Sequence, residues 1–144
     1  RVPTTSPTFI YGVIPYDSTI PDQCLASGTS VSEVSAVVLT IQISNITGSG
    51  TNAPASGTVS TSVGVTTSGG ALADLVAQTA HYTYSQAAYY SLVSGYPLIS
   101  QNSFDPLSGN LVLTAENGIW VTTDIADGIE VVASIMEISN ANAI

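Results

Sequence analysis

Residues 109 to 139, "GNLVLTAENGIWVTTDIADGIEVVASIMEIS", decide the fold class. Three runs rich in Val, Ile and Leu are separated by short segments that contain glycine, a pattern typical of β-strands and turns. Asn117-Gly118 and Asp127-Gly128 are dipeptides favoured in two-residue hairpin turns. Together with the strand-like "YPLIS" at 96 to 100, these runs predict an antiparallel meander over residues 96 to 139.

Two further strands are predicted upstream. Residues 31 to 43, "VSEVSAVVLTIQI", alternate in a way that predicts a half-buried strand. One face would carry Val37, Leu39, Ile41 and Ile43, and the other Val38, Thr40 and Gln42. In residues 58 to 67, "TVSTSVGVTT", a single face is expected to hold Val59, Thr61, Val63 and Val65.

The hydrophobic period changes between residues 70 and 93. Leu72, Leu75, Val76 and Thr79 fall at helical spacing, and Ser68 is a plausible N-cap before them. Residues 85 to 93 predict one or two further helical turns, which Gly95 would end. The chain of 144 residues is therefore predicted to be a single all-β domain over 1–144, an antiparallel β-sandwich or jelly roll with a short helical insert.

The N-terminal residues 1–15 are expected to form an extended arm that carries a strand. In "SPTFIYGVIPYD", residues 6 to 17, apolar side chains occupy both faces, so such a strand needs cover on both sides. Either its own sheet or that of a neighbouring subunit could supply the cover. The residues predicted to contact a neighbour are Phe9, Ile10, Tyr11, Val13 and Ile14.

Composition excludes several classes of partner. Charged residues make up 8% of the chain, Arg1 is the only basic residue besides a single histidine, and ten carboxylates give a net charge of −9. A surface with so little positive charge does not favour phosphates or anionic lipid. No apolar run approaches the roughly 18 residues of a spanning helix, so neither nucleic acid nor membrane insertion is expected.

Other features favour an extracellular, cell-surface location. The sequence starts at Arg1 rather than methionine, which leads us to expect that a leader was removed. Asn45-Ile46-Thr47 is an N-glycosylation sequon, so Asn45 is a candidate glycan acceptor. Cys24 is the only cysteine, which excludes an internal disulfide, and a small buried side chain is its expected role.

A catalytic constellation is not evident, and we expect that the protein is not an enzyme. A nucleophile–histidine pair would have to use His81, the only histidine, and zinc would lack its preferred ligands. No cofactor is expected, with one exception. Asp124, Asp127 and Glu130 cluster around a predicted hairpin and could supply oxygen ligands for calcium, although a solvated turn is the simpler explanation.

Aromatic residues are concentrated in one part of the chain. The five tyrosines within fifteen residues are Tyr82, Tyr84, Tyr89, Tyr90 and Tyr96. With Trp120 they could belong to the core, to a subunit interface or to a sugar-binding surface.

Residues 102 to 125 resemble one segment of the tumour-necrosis-factor and complement-collagen jelly rolls. In that superfamily an Asn-rich strand leads into a D-x-x-x-G turn and then to G-[IL]-[YW] at the start of the next strand. The matching residues are Asn102, Asp105, Gly109, Gly118, Ile119 and Trp120. Too few residues follow Trp120 for that family's later strands, so the resemblance implies a β-sandwich and no particular function.

The chain as a whole resembles the secreted subunits of extracellular filaments, such as archaeal threads and bundling pili. The resemblance lies in its lysine-free composition, rich in Ser, Thr and Tyr, and in the short apolar strand on an N-terminal arm. It implies a non-catalytic structural protein that self-assembles when the arm of one subunit completes the sheet of the next, known as donor-strand complementation. The alternatives are a virion coat or decoration protein and a secreted carbohydrate-binding module.

Overall fold

The computed structural model describes residues 1–13, 34–66, 89–114 and 117–139. Within these ranges the chain forms strands and no helix, and every strand pair is antiparallel. The prediction of an all-β protein is therefore confirmed. The strands are β1 (Thr8–Val13), β2 (Val34–Asn45), β3 (Val59–Thr66), β4 (Tyr89–Leu98), β5 (Ser103–Phe104), β6 (Leu111–Leu113), β7 (Asn117–Thr123) and β8 (Ile129–Ser139).

The described strands form two sheets that pack as a β-sandwich. Sheet A has the order β1-β7-β3-β4. In sheet B the long strand β2 is central, with β8 along one side and the short strands β5 and β6 along the other. One buried apolar cluster takes side chains from both sheets, among them Ile41 and Ile43 of β2 and Ile119 and Val121 of β7. Burying these branched side chains between the sheets is the main favourable term for the fold.

The predicted meander over residues 96 to 139 is wrong, although its strands exist. The chain passes between sheets after β4, after β6 and after β7, and in the described part no two consecutive strands from β4 to β8 pair with each other. Asn117 and Gly118 are not a hairpin turn, because they lie in β7 opposite Val13 and Gly12. Asp127, with φ of 58°, lies in the turn that carries the chain from β7 in sheet A to β8 in sheet B.

Strand β3 agrees with its predicted pattern. Val59, Thr61 and Val63 are fully buried and Val65 is 5% exposed, so all four lie on the core face. This strand lies between β7 and β4, and its alternation is uninterrupted.

The predicted faces of β2 are only half right, because a β-bulge divides the strand. Its pairing with β8 shifts register between Val38 and Thr40. Ala36 and Val38 are buried before the bulge, and Ile41 and Ile43 after it. An extra residue reverses the inward and outward positions of everything that follows. Ile41 and Ile43 therefore share the core face with Val38, whereas Leu39, 41% exposed, lies on the outer face.

The predicted helical insert is not seen in the described residues. Most of it, residues 70 to 88, lies outside them, but residues 89 to 93 belong to β4 and pair with β3. That part of the prediction is wrong, because the aromatic and β-branched residues there favour a strand. Gly95 ends no helix. Its φ of 62° falls at a point where β4 carries an extra residue opposite β3, as glycine does in bulges.

Candidate interaction surfaces

Strand β1, the predicted interface strand, lies at one edge of sheet A. It pairs with β7 of the same chain, from Thr8 opposite Val121 to Val13 opposite Asn117. Tyr11 and Val13 enter the core cluster, and Ile10 is partly buried against it. Ile14 lies outside the described residues. In the single chain, then, the arm's own sheet supplies the cover that the sequence requires.

The segment that precedes β1 is also anchored. The Val2 side chain is buried in the core cluster. Its backbone N–H donates to the Ile129 carbonyl at 3.1 Å, and its carbonyl accepts from the Asp127 N–H at 2.9 Å. Residues 1 to 13 therefore contact the start of β8 in sheet B as well as β7 in sheet A, and they cover one side of the sandwich.

A hydrogen bond between the sheets joins β1 to β8. The Tyr11 hydroxyl donates to Glu137 Oε1 at 2.7 Å. Burial raises the pKa of the Tyr11 phenol, and the hydrogen bond to Glu137 and the negative charge of that carboxylate raise it further. Each of these effects disfavours a phenolate at this position. The neutral tyrosine therefore acts as a fixed donor that aligns β1 with the edge of sheet B.

Phe9 lies on the other face of sheet A from the core. The β1–β7 register shifts between Phe9 and Tyr11, so these two side chains point to opposite faces. The Phe9 ring meets the Trp120 ring edge to face, with centroids 5.1 Å apart. Both side chains are buried, with 7% and 3% exposed. Of the aromatic residues considered from sequence, Trp120 is thus part of a buried pair with β1.

Two glycines let β1 and β7 approach closely at this site. Gly12 lies directly opposite Gly118. A Cβ atom on Gly12 would lie 2.8 Å from the Asn117 carbonyl oxygen and 2.9 Å from the Gly118 Cα. Both distances are shorter than van der Waals contact with backbone that cannot swing away. Position 12 therefore admits only glycine in this register.

A second surface, on sheet B, exposes a group of large apolar side chains. Met136 of β8, Val37 of β2 and Val112 of β6 lie side by side across the three strands. We call this surface the sheet B outer face, and it consists of Val37, Leu39, Val112, Val132, Met136 and Ile138. Five of these residues are between 41% and 63% exposed. Val112, Val37 and Met136 are direct neighbours, whereas Ser134 separates Val132 from Met136. A group of exposed apolar residues marks interaction sites more often than a scattered single residue does.

Sequence reasoning missed the sheet B outer face, although β8 carried a signal. In "IEVVASIMEIS", residues 129 to 139, Val131 and Ile135 are flanked by Val132 and Met136, so both faces are apolar. As in β1, apolar side chains on both faces indicate that β8 needs cover on both sides. On β2 the alternation alone does not reveal the bulge, which puts Leu39 on the face opposite Ile41 and Ile43.

The candidate calcium ligands Asp124, Asp127 and Glu130 are not brought together in the described structure. Among the described residues no group of three or more His, Cys, Asp or Glu side chains could hold a metal ion, and Asp124, Asp127 and Glu130 are all described. Asp124 Oδ1 accepts the Ser60 backbone N–H at 2.8 Å. Glu130 is exposed on β8, opposite Ser44. The role of Asp127 is structural, because its positive φ forms the turn between β7 and β8.

Asn45, the predicted glycan acceptor, is 2% exposed. Its amide nitrogen donates to the Gly57 carbonyl at 2.8 Å and to the Leu98 carbonyl at 2.7 Å. Its Oδ1 accepts from the Thr47 N–H at 2.9 Å and from the Thr47 hydroxyl at 2.6 Å. A glycan would displace one of the two donated bonds and would need space inside the sandwich. The geometry therefore argues against glycosylation of Asn45 in the folded chain.

The other residues singled out from the sequence lie away from these two surfaces or outside the described residues. Tyr96, 40% exposed, stacks on Phe104 at 4.1 Å and links the β4 edge of sheet A to β5 of sheet B. A groove of about 270 Å³ is lined by Leu92 and residues 106 to 111, and it is smaller than usual ligand pockets. The side chains of Tyr89 and Tyr90 are not described. Outside the described residues lie Cys24, His81, Tyr82 and Tyr84.

In the described part of the chain, no helix has the length and apolar character needed to cross a membrane. The comparisons with known proteins find no matching family model, no matching curated protein and no matching solved structure.

Proposed function

We propose that this chain is a non-catalytic structural subunit that self-assembles into an extracellular, cell-surface filament, with β1 of one subunit added to the sheet of the next. The observation that carries the proposal is the position of β1. It is an edge strand, it pairs only with β7 among the described strands, and its apolar residues include Phe9, Tyr11 and Val13.

An edge strand can be exchanged between identical subunits without loss of any contact. If β1 from a second copy occupies the same place, the pairs from Thr8–Val121 to Val13–Asn117 form again between two chains. The hydrogen bond from Tyr11 to Glu137 becomes intermolecular in the same way. Exchange of an identical element changes the connection and not the contacts, which makes it a low-cost route to assembly.

Chain length permits the exchange. Residues 14 to 33 separate β1 from β2, and twenty residues can reach up to about 70 Å. A head-to-tail contact of this type continues as a filament when its rotation does not close, and forms a ring when it does. The low fraction of charged residues, 8%, supports an extracellular setting, because such a surface depends little on ionised groups.

A disulfide test can separate exchange from pairing within the chain. Val13 and Asn117 are register partners, so their Cα atoms are about 4.5–5.5 Å apart and within reach of a disulfide. We would combine Val13→Cys and Asn117→Cys in one chain, with Cys24→Ser to remove the native thiol. After oxidation, exchange predicts a ladder of covalent oligomers on a non-reducing gel, and rods by electron microscopy.

The matched control mixes two chains that each carry one of the two cysteines. Exchange predicts a covalent dimer in the mixture. A double-cysteine chain that oxidises only to a monomer, together with a mixture that gives no dimer, would overturn the exchange mechanism. Closed shells in the micrographs would favour the coat-protein alternative, and small particles retained on a sugar column would favour the binding module.

A further inference from the structure

We propose that the sheet B outer face is a contact between two copies of this chain, which pack there sheet against sheet. The site is distinct from β1, because it lies on the outside of the other sheet. This contact depends on the proposed function in one respect, which is that a filament would repeat it along its length. Its centre is the row formed by Val112, Val37 and Met136, with Val132 63% exposed nearby.

The distribution of charge indicates that a second copy is the occupant. Two chains that each carry a net charge of −9 repel one another unless they meet where carboxylates are absent. Glu137, which follows Met136 on β8, lies opposite the buried Ala36 and accepts from Tyr11 on the core side, so among the described outward positions of β2, β6 and β8 the carboxylate is Glu130. It lies six residues along β8 from Met136, or about 20 Å at strand spacing. A basic partner would instead seek carboxylates, which the centre of this face lacks.

Shape favours the same occupant. The face belongs to an antiparallel sheet, and flat apolar sheet surfaces pack on one another about 10 Å apart. The face on a second copy offers the same apolar character and low charge. A two-fold axis would use the same residues on both sides, as in most homodimers.

The size of the face sets the strength of the contact. From Val132 to Ile138 the face runs about 20 Å along β8, and with β2 and the three-residue β6 it is about 14 Å wide. Two copies would bury about 600 Å² in total, which is below the usual size of a stable specific interface. The contact is therefore weak between free subunits, and it strengthens when several subunits of one assembly present it together.

The test is a charge-insertion series on the full chain. Val112→Glu combined with Met136→Glu places four carboxylates at the centre of the paired faces, on side chains 58% and 50% exposed. Ile99→Glu is the matched control, because Ile99 is 56% exposed and lies outside the face, between β4 and β5. Thermal unfolding of each variant checks that it remains folded.

Sedimentation velocity over a range of concentrations gives the readout. We expect the wild type and Ile99→Glu to shift reversibly from monomer to dimer as concentration rises, and the double variant to remain monomeric. If the wild type forms rods, we expect them to lie side by side and the rods of the double variant to separate. Unchanged association in the double variant, or a wild type that shows neither dimers nor paired rods, would overturn the proposal. Failure of rods to form while the dimer persists would count against the proposed function and not against this contact.

Discussion

The Tyr11 hydroxyl donates a 2.7 Å hydrogen bond to Glu137, and this bond ties the edge of sheet A to the edge of sheet B. The donor is 7% exposed and the acceptor is an exposed carboxylate. The bond therefore holds β1 of sheet A against β8 of sheet B. It is the polar counterpart of the apolar contacts that Val13 and Val2 make on the same side.

The first prediction concerns this bond. Tyr11→Phe keeps the ring and removes the donor, so we expect the free energy of unfolding to fall by about 1 kcal/mol, a modest value because the acceptor is solvated. Urea denaturation measures the change. Tyr96→Phe, at an exposed tyrosine, is the control and should alter stability less. A Tyr11→Phe variant as stable as wild type would show that the bond contributes nothing.

The second prediction is an alkaline limit on stability. The raised pKa of Tyr11 means that the folded chain holds its phenol proton more tightly than the unfolded chain, whose tyrosines ionise near pH 10. The contribution of Tyr11 is therefore complete below about pH 10 and is lost as pH rises towards the higher pKa of the folded state. Denaturation midpoints from pH 8 to 11.5 should fall less steeply for Tyr11→Phe than for wild type. Parallel curves would contradict this.

The third prediction tests the close approach of β1 and β7. Gly12→Ala would place a methyl group 2.8 Å from the Asn117 carbonyl oxygen, and such overpacking costs about 1–3 kcal/mol. Gly109→Ala is the control, because a Cβ there meets nothing within 4 Å. Hydrogen exchange should show selective loss of protection in β1 and β7 of the Gly12 variant. Equal stability of the two variants would mean that β1 does not hold this register.

The fourth prediction assigns Asn45 a structural role. Asn45→Ala leaves the Gly57 and Leu98 carbonyls without their amide donor, and we expect a loss of about 3 kcal/mol. The exposed Asn110→Ala is the control and should change stability by less than about 0.5 kcal/mol. Intact-mass measurement of protein from a glycosylating host should find Asn45 unmodified. A stable, folded chain with a glycan on Asn45 would contradict the geometry.

The fifth prediction concerns a buried hydroxyl. Thr61 is fully buried, and its Oγ1 has no hydrogen-bond partner among the described residues. Thr61→Val replaces the hydroxyl with a methyl of similar size, so we expect stability to be equal or to rise by about 1 kcal/mol. Thr61→Ser keeps the hydroxyl, removes the methyl and should destabilise. A marked loss of stability in Thr61→Val would indicate a partner for the hydroxyl.

Strand positions were predictable from the sequence because strand preference is largely local. The alternation of β3, the apolar runs of β7 and β8 and the strand around Phe9 all depend on neighbouring residues. The turn at Asp127 was also predictable, since Asp-Gly favours positive φ. What that turn connects was not, because a turn dipeptide does not determine whether the next strand joins the same sheet.

The candidate site was predicted in part. The residues of β1 were identified from their two apolar faces, and the structure places four of them, Phe9, Ile10, Tyr11 and Val13, in β1. The sheet B outer face was missed, and the burial of Asn45 was not predicted. A sequon specifies a local pattern, whereas burial of Asn45 depends on Gly57 and Leu98, which come from distant parts of the chain.

By itself, the sequence determined that this protein is built from β-strands and where most of them lie. The tertiary structure alone decided the division of strands between two sheets, the bulges in β1, β2 and β4, and the pairing of β1 with β7. The physical reason is the distance along the chain over which each effect acts. Backbone preference and alternation act between neighbours along the chain, whereas a bulge or a strand pair is selected by packing between residues far apart in sequence. One extra residue at Leu39 was enough to exchange the buried and exposed faces of β2.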